Sequence, residues 1–128
     1  MTDAPAGEPT IRVIAMPADA NPCGDIFGGW LLSWMDSAAG SVASRHCGGR
    51  AVTIALDGME FLNPVFVGDE LSVYATLVKT GRTSMTIAVE AWRRHRHEAE
   101  QHKVTQARFV FVAIDADRKP RELSALTV

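Results

Sequence analysis

The chain has 128 residues, of which 47% are hydrophobic and 22% charged, and its net charge is −2. That is the size of one domain with enough apolar side chains for a packed core, which excludes wholesale disorder. Both signs of charge are mixed and no run approaches ~18 uncharged apolar residues, so no nucleic acid and no membrane is expected as a partner.

Residues 1–9, within "MTDAPAGEPT", are acidic and rich in Pro and Gly. They lack the cationic and apolar regions of a signal peptide, and predict a short disordered lead and a cytoplasmic protein. "TIRVIAM" (Thr10–Met16) predicts a strand stopped by Pro17. "PADANPCGD" is loop. Gly28–Arg45 predicts a helix that ends before Gly48-Gly49, with Arg45 and His46 at the negative end of its dipole. Strands are then predicted at Ala51–Leu62, Leu71–Thr80, Met85–Arg94 and Lys103–Asp115. "VGDE" and "GRTS" are turns, "HRHEAEQH" is a polar hairpin end, and the tail "ADRKPREL" is expected to leave the sheet. Short connections make the strands antiparallel neighbours, so the class is α+β: one curved sheet and one helix. The helix is apolar on nearly every side and is expected to be enclosed, by the sheet and by a second copy as a lid.

From Gly28 to Val42 the only charge is Asp36. An ionised carboxylate in apolar surroundings is costly unless paired. Gly28 and Gly29 open the same helix, where unpaired amides face outward at the positive end of the dipole and a ligand oxygen can come close. An oxyanion site and a carboxylate are two of the parts that acyl transfer needs. Seven residues put Gly29 and Asp36 on one helix face but roughly 10 Å apart along the axis. One carbonyl cannot be served by both from a single helix. Two antiparallel copies can bring the glycine end of one to Asp36 of the other.

Other features have plainer readings. Asp25 is a turn or helix-entry cap. Asn21 by itself is an Asx-turn residue. Trp30, Trp34 and Met35 are core or dimer packing. Gly81–Ser84 is by default a hairpin connection, and Arg93–His97 a solvated strand end. His95, His97 and His102 lack metal-ligand spacing, so no metal is expected. Cys23 and Cys47 are free thiols, and no histidine is placed to activate Cys23.

"MPADANPCGDIFGGWLLSWMD", "GRAVTIALDGMEFLNPVFVGDEL", "GRTS", "EAW" and "DADRKPREL" together resemble the hotdog-fold acyl-CoA thioesterases of the YciA type, from about Arg12 to Leu123. The resemblance implies a hotdog domain over residues 10–123, followed by a tail at 124–128. Its fold is a five- to six-stranded antiparallel sheet wrapped round one long central helix. Two such units pair as a double hotdog, commonly assembled as a trimer of dimers. It implies hydrolysis of acyl-CoA to coenzyme A and a carboxylic acid, with no cofactor, coenzyme A being part of substrate and product. Asp36 is then the general base or nucleophile, Asn21 acts with the partner's aspartate, and Gly28 and Gly29 polarise the thioester carbonyl. Coenzyme A is expected along Arg82, Thr83 and Ser84, with Arg118, Lys119 and Arg121 of the tail folding over the nucleotide. Pro22-Cys23 departs from the small polar residues expected after the asparagine. A hotdog hydratase would need a histidine on the helix interior, where none falls. A non-catalytic acyl-CoA sensor would have no use for Asp36.

Overall fold

The computed structural model describes residues 4–123. Its elements are β1 (Ile11–Ile14), a 3-10 turn at Pro17–Asp19, α1 (Gly28–Cys47), β2 (Ala51–Phe61), β3 (Glu70–Thr80), β4 (Ser84–Arg94) and β5 (Gln101–Ala113). The five strands form one sheet in the order β1-β3-β4-β5-β2, with every neighbouring pair antiparallel. α1 lies against one face, burying Leu31, Met35, Ala38, Ala39 and Ala43 among Leu71, Val73, Met85, Ile87, Phe109 and Phe111. None of the described helices is long and apolar enough to cross a membrane.

Local chemistry sets the boundaries. α1 ends because Gly48 takes the left-handed conformation (φ 65°), which costs glycine little, and its amide returns to the Ser44 carbonyl. Gly58 (φ 67°) sits in the second of two irregularities along β2, between Asp57 and Glu60, where the pairing with β5 slips. The first lies between Thr53 and Ala55.

Within the single chain the sheet covers one side of α1: Ser33, Ser37, Ser41 and Ser44 recur at helical spacing and face outward, while Trp30, Leu32, Trp34 and Asp36 are half-buried at the flanks. Serines carry no charge and hid a polar stripe inside an apolar-looking run. Two expectations are corrected. The tail does not leave the sheet. It turns at Asp115–Arg118 and comes back, with Ile114 bridging Pro120 and the amides of Arg121 and Leu123 donating to the carbonyls of Ala113 and Arg82. The end of β4 is not a solvated strand end, because Arg93 is buried and His95 half-buried; Arg96 and His97 are exposed. Of the expected lead, residues 4–9 lie outside any strand or helix, and Pro5, Ala6 and Glu8 border a hollow with Tyr74 and Ala88. Residues 124–128, the expected tail, and residues 1–3 lie outside the described residues.

Candidate active site

Asp36 stands at mid-helix, half-buried, where α1 crosses β2. The Thr53 hydroxyl on β2 donates to its Oδ1 at 2.7 Å. The register pairs Thr53 with Phe111 and Leu56 with Phe109, so these four side chains share the helix-facing side of the sheet. A cleft of about 340 Å³ opens beside the carboxylate. Gly29, Ser33, Asp36 and Thr53 line it together with apolar Leu32, Leu56 and Phe109. The carboxylate thus shares its cleft with an apolar floor. Thr53 is the residue that sequence reasoning missed. Its only signal is a hydroxyl in the otherwise apolar run "AVTIAL".

The start of α1 is open. Phe27 is the N-cap and offers no side-chain acceptor, and no acidic residue occupies the first turn. The amides of Trp30 and Leu31 donate to the Phe27 carbonyl at 3.1 and 3.4 Å. Those of Gly28 and Gly29, one step earlier, find no acceptor among the described residues. Asp25 is part of the preceding turn and not the cap, since its carbonyl accepts the Asn21 amide at 2.7 Å.

Neither glycine is needed for the backbone, because neither has a positive φ. A β-carbon on Gly28 would meet the Phe61 ring at 3.3 Å, whereas one on Gly29 would meet nothing within 4 Å. A second hollow, of about 420 Å³, lies on the Gly28 side between Leu31, Phe61, Leu62 and Val65. The double glycine is therefore flanked by two hollows, each in the size range of small-molecule sites, about 300–1,000 Å³.

Asn21 makes an Asx turn. Its Oδ1 accepts the amides of Cys23 (2.9 Å) and Asp25 (3.1 Å). Two donors on one oxygen fix which end of the side-chain amide is which, and leave Nδ2 as the group free to donate outward. Pro22-Cys23 completes this turn without disturbing it.

The residues expected at coenzyme A gather at the far end of the helix. Gly81–Ser84 is the β3–β4 turn, closed by the Gly81 amide on the Ser84 carbonyl at 2.8 Å. The Thr83 carbonyl accepts from Ala113, and the Arg82 carbonyl from Leu123, which ties the tail to this turn. Arg82 is exposed and pairs with Glu122 at 3.0 Å. Arg118 (φ 62°) and Lys119 sit exposed on a turn organised by the Asp115 carboxylate, which accepts the amides of Asp117 and Lys119. Arg121 behaves differently: it donates to the carbonyls of Cys47 (2.8 Å) and Ile114 (3.3 Å), closing off the negative end of α1. From Asp36 to Cys47 is on the order of 17 Å along the helix. The fold thus brings Asp36 and Gly29 to one cleft and the cations to another end, and it leaves Asn21 at the loop before α1. No group of three metal-binding side chains occurs among the described residues.

The family model described as the thioesterase superfamily matches residues 23–100. An uncharacterized acyl-CoA thioester hydrolase of Zymomonas mobilis is 62% identical over 117 residues, covering 91% of this chain and 78% of the relative. The acyl-CoA thioester hydrolase YciA of Salmonella typhimurium is 47% identical, covering 96% and 95%. Among solved structures, a hexameric thioesterase of Yersinia pestis superposes with a TM-score of 0.88 at 46% identity, covering 93% of this chain and 97% of that one. A hexameric broad specificity acyl-coenzyme A thioesterase gives 0.86 at 39% identity, covering 94% and 83%. With one long helix packed on a five-stranded antiparallel sheet, the chain has the hotdog fold and belongs to the thioesterase superfamily, among its YciA-type acyl-CoA thioester hydrolases.

Proposed function

We propose that this chain hydrolyses acyl-coenzyme A at sites shared between two copies, with Asp36 as the acting carboxylate. The observation that carries the reading is the Asp36–Thr53 hydrogen bond in a mainly apolar cleft that also holds Gly29. Oδ1 is held by Thr53, so Oδ2, which has no partner among the described residues, is the oxygen left to act. It takes a proton from water as the water oxygen attacks the thioester carbon. The carbonyl oxygen becomes negative against the amides of Gly28 and Gly29. Collapse breaks the carbon–sulfur bond, and the thiolate of coenzyme A takes the proton. Direct attack by Oδ2 would instead expel the thiolate of coenzyme A and give an anhydride that water then cleaves at the aspartyl carbon. Single turnover in oxygen-18 water separates the two, since only the anhydride route leaves label in Asp36.

A thioester cannot touch Gly29 and Asp36 of one helix when they are roughly 10 Å apart. The partner's glycines and Asn21 Nδ2 therefore meet Asp36 across a double-hotdog interface. Support comes from the free edge of β2, which exposes Ile54, Leu56 and Phe61, and from the hexameric relatives. A trimer of such dimers is the expected assembly. Arg82, Arg118 and Lys119, with hydroxyls of Thr83 and Ser84, receive the phosphates of coenzyme A.

The test is thiol release from acyl-CoA substrates of several chain lengths. Asp36→Asn is expected to abolish release and keep coenzyme A binding. A wild-type protein that binds acyl-CoA tightly and releases no thiol is a sensor, and the hydrolase reading fails.

A further inference from the structure

A second set of ionisable side chains lies away from the cleft, where β4 ends beneath the turn that leads into β3. Asp69 is 3% exposed and Arg93 8% exposed, and half-buried His95 stands between them. His95 Nδ1 lies 2.8 Å from Asp69 Oδ1, and His95 Nε2 lies 2.5 Å from Arg93 Nη1. Guanidinium only donates, so Nε2 must accept. The proton is then on Nδ1, which donates to Asp69. The buried carboxylate and the buried guanidinium are thus joined through the imidazole, whose Nε2 also lies 3.9 Å from Glu98 Oε1. Arg93 Nε has no partner, so the guanidinium is held from its outer end.

The chain of contacts continues toward the candidate site. Asp69 Oδ2 accepts the Phe66 amide at 2.9 Å, and the Asp69 amide donates to the Phe66 carbonyl at 3.0 Å. The Phe66 ring stacks on His95, centroids 6.1 Å apart. Phe66 bridges to Asp25, and the Ile26 amide donates to the Val65 carbonyl at 3.1 Å. Asp25 closes the Asx turn through both its amide and its carbonyl. From His95 to Asn21 there is no gap in this sequence of hydrogen bonds and backbone pairings.

We propose that His95 is a positioning residue: through Asp69 and the Val65–Asp69 turn it sets the posture of the 21–26 loop, and so the direction in which Asn21 Nδ2 donates. This rests on the reading of Asn21 given above. Without the imidazole, Asp69 is left buried with one donor fewer and no link to the Arg93 charge, a state that draws in water to compete with the Phe66 amide for the carboxylate. The loop then loses its floor while the cleft at Asp36, on the other side of α1, keeps all its contacts.

The experiment compares His95→Ala with His95→Asn, whose side-chain amide can replace the Nδ1 donor. Hydrogen–deuterium exchange over residues 20–27 is expected to rise in His95→Ala and return to the wild-type level in His95→Asn. In thiol release, His95→Ala is expected to lower kcat by about tenfold while KM changes by less than about twofold. Combined with Asn21→Ala, it should add less than about twofold, because a residue acting through Asn21 has nothing left to act on. Unchanged exchange at 20–27 overturns the proposal, as do effects that multiply in the double variant. A wild type without hydrolase activity sinks the proposed reaction instead, and exchange alone then judges the His95 link.

Discussion

Gly29→Ala separates a glycine kept for its backbone from one kept for the space above it. The backbone at Gly29 is ordinary helix, and a β-carbon there meets nothing within 4 Å. Alanine should thus cost no strain and should reduce the freedom of the unfolded chain, a gain of about 0.5 kcal/mol. That corresponds to a rise in Tm of about 2 °C for a domain of this length. In the proposed dimer the same methyl stands where the oxygen of a thioester held at the other copy's Asp36 must come close to the Gly29 amide. Keeping that oxygen off one donor should lower kcat/KM by about a hundredfold. The assays are thermal unfolding, thiol release across acyl-CoA substrates, and mass in solution. A variant that is more stable, correctly assembled and nearly inactive is the expected result. Wild-type activity in Gly29→Ala refutes the oxyanion role, and a variant that falls apart assigns the space to the neighbouring copy.

Thr53→Val removes the hydroxyl that holds Asp36 and keeps a β-branched strand residue. A hydrogen bond to a charged group contributes about 1.5–3 kcal/mol, and the partly open site argues for the low end, so kcat should fall by about tenfold. Thr53→Ser should keep most of the activity, and a full rate in Thr53→Val would remove Thr53 from the mechanism. The two arginines at the far end should divide. Arg82→Ala breaks an exposed ion pair worth about 0–1 kcal/mol, so its effect should be a higher KM for acyl-CoA that fades as salt is added. Arg121→Ala strips a donor from the Cys47 carbonyl at the helix end and from the Ile114 carbonyl after β5, and should destabilise by about 1–2 kcal/mol in chemical unfolding; an unchanged stability contradicts that role.

The elements were legible because their signals are local. β-branched and alternating apolar runs marked every strand, and Gly48-Gly49 marked the helix end to within two residues. Asp36, Gly28 and Gly29 stood out for a similar reason, as one charge and two glycines in an apolar helix. Thr53 did not, because a strand threonine is ordinary until the register places it opposite Phe111 and under Asp36. Arg93 and His95 looked like solvent-facing charge, because their compensation comes from Asp69, 26 residues from His95 in the chain and just before the first residue of the neighbouring strand. The tail was misread for the same reason: its backbone is held by carbonyls distant in sequence, at Ala113 and Arg82, and its Arg121 side chain by Cys47 of α1.

The two margins of the sheet have a consequence for newly made chains. β1 is only four residues long, and β2, though eleven residues long, is broken by two irregular pairings. Neither margin presents the long, evenly spaced ladder on which strands from many molecules stack into fibres. In the proposed double hotdog the sheet can therefore carry greasy side chains on its β2 border before pairing, and growth would stop once the single match is made.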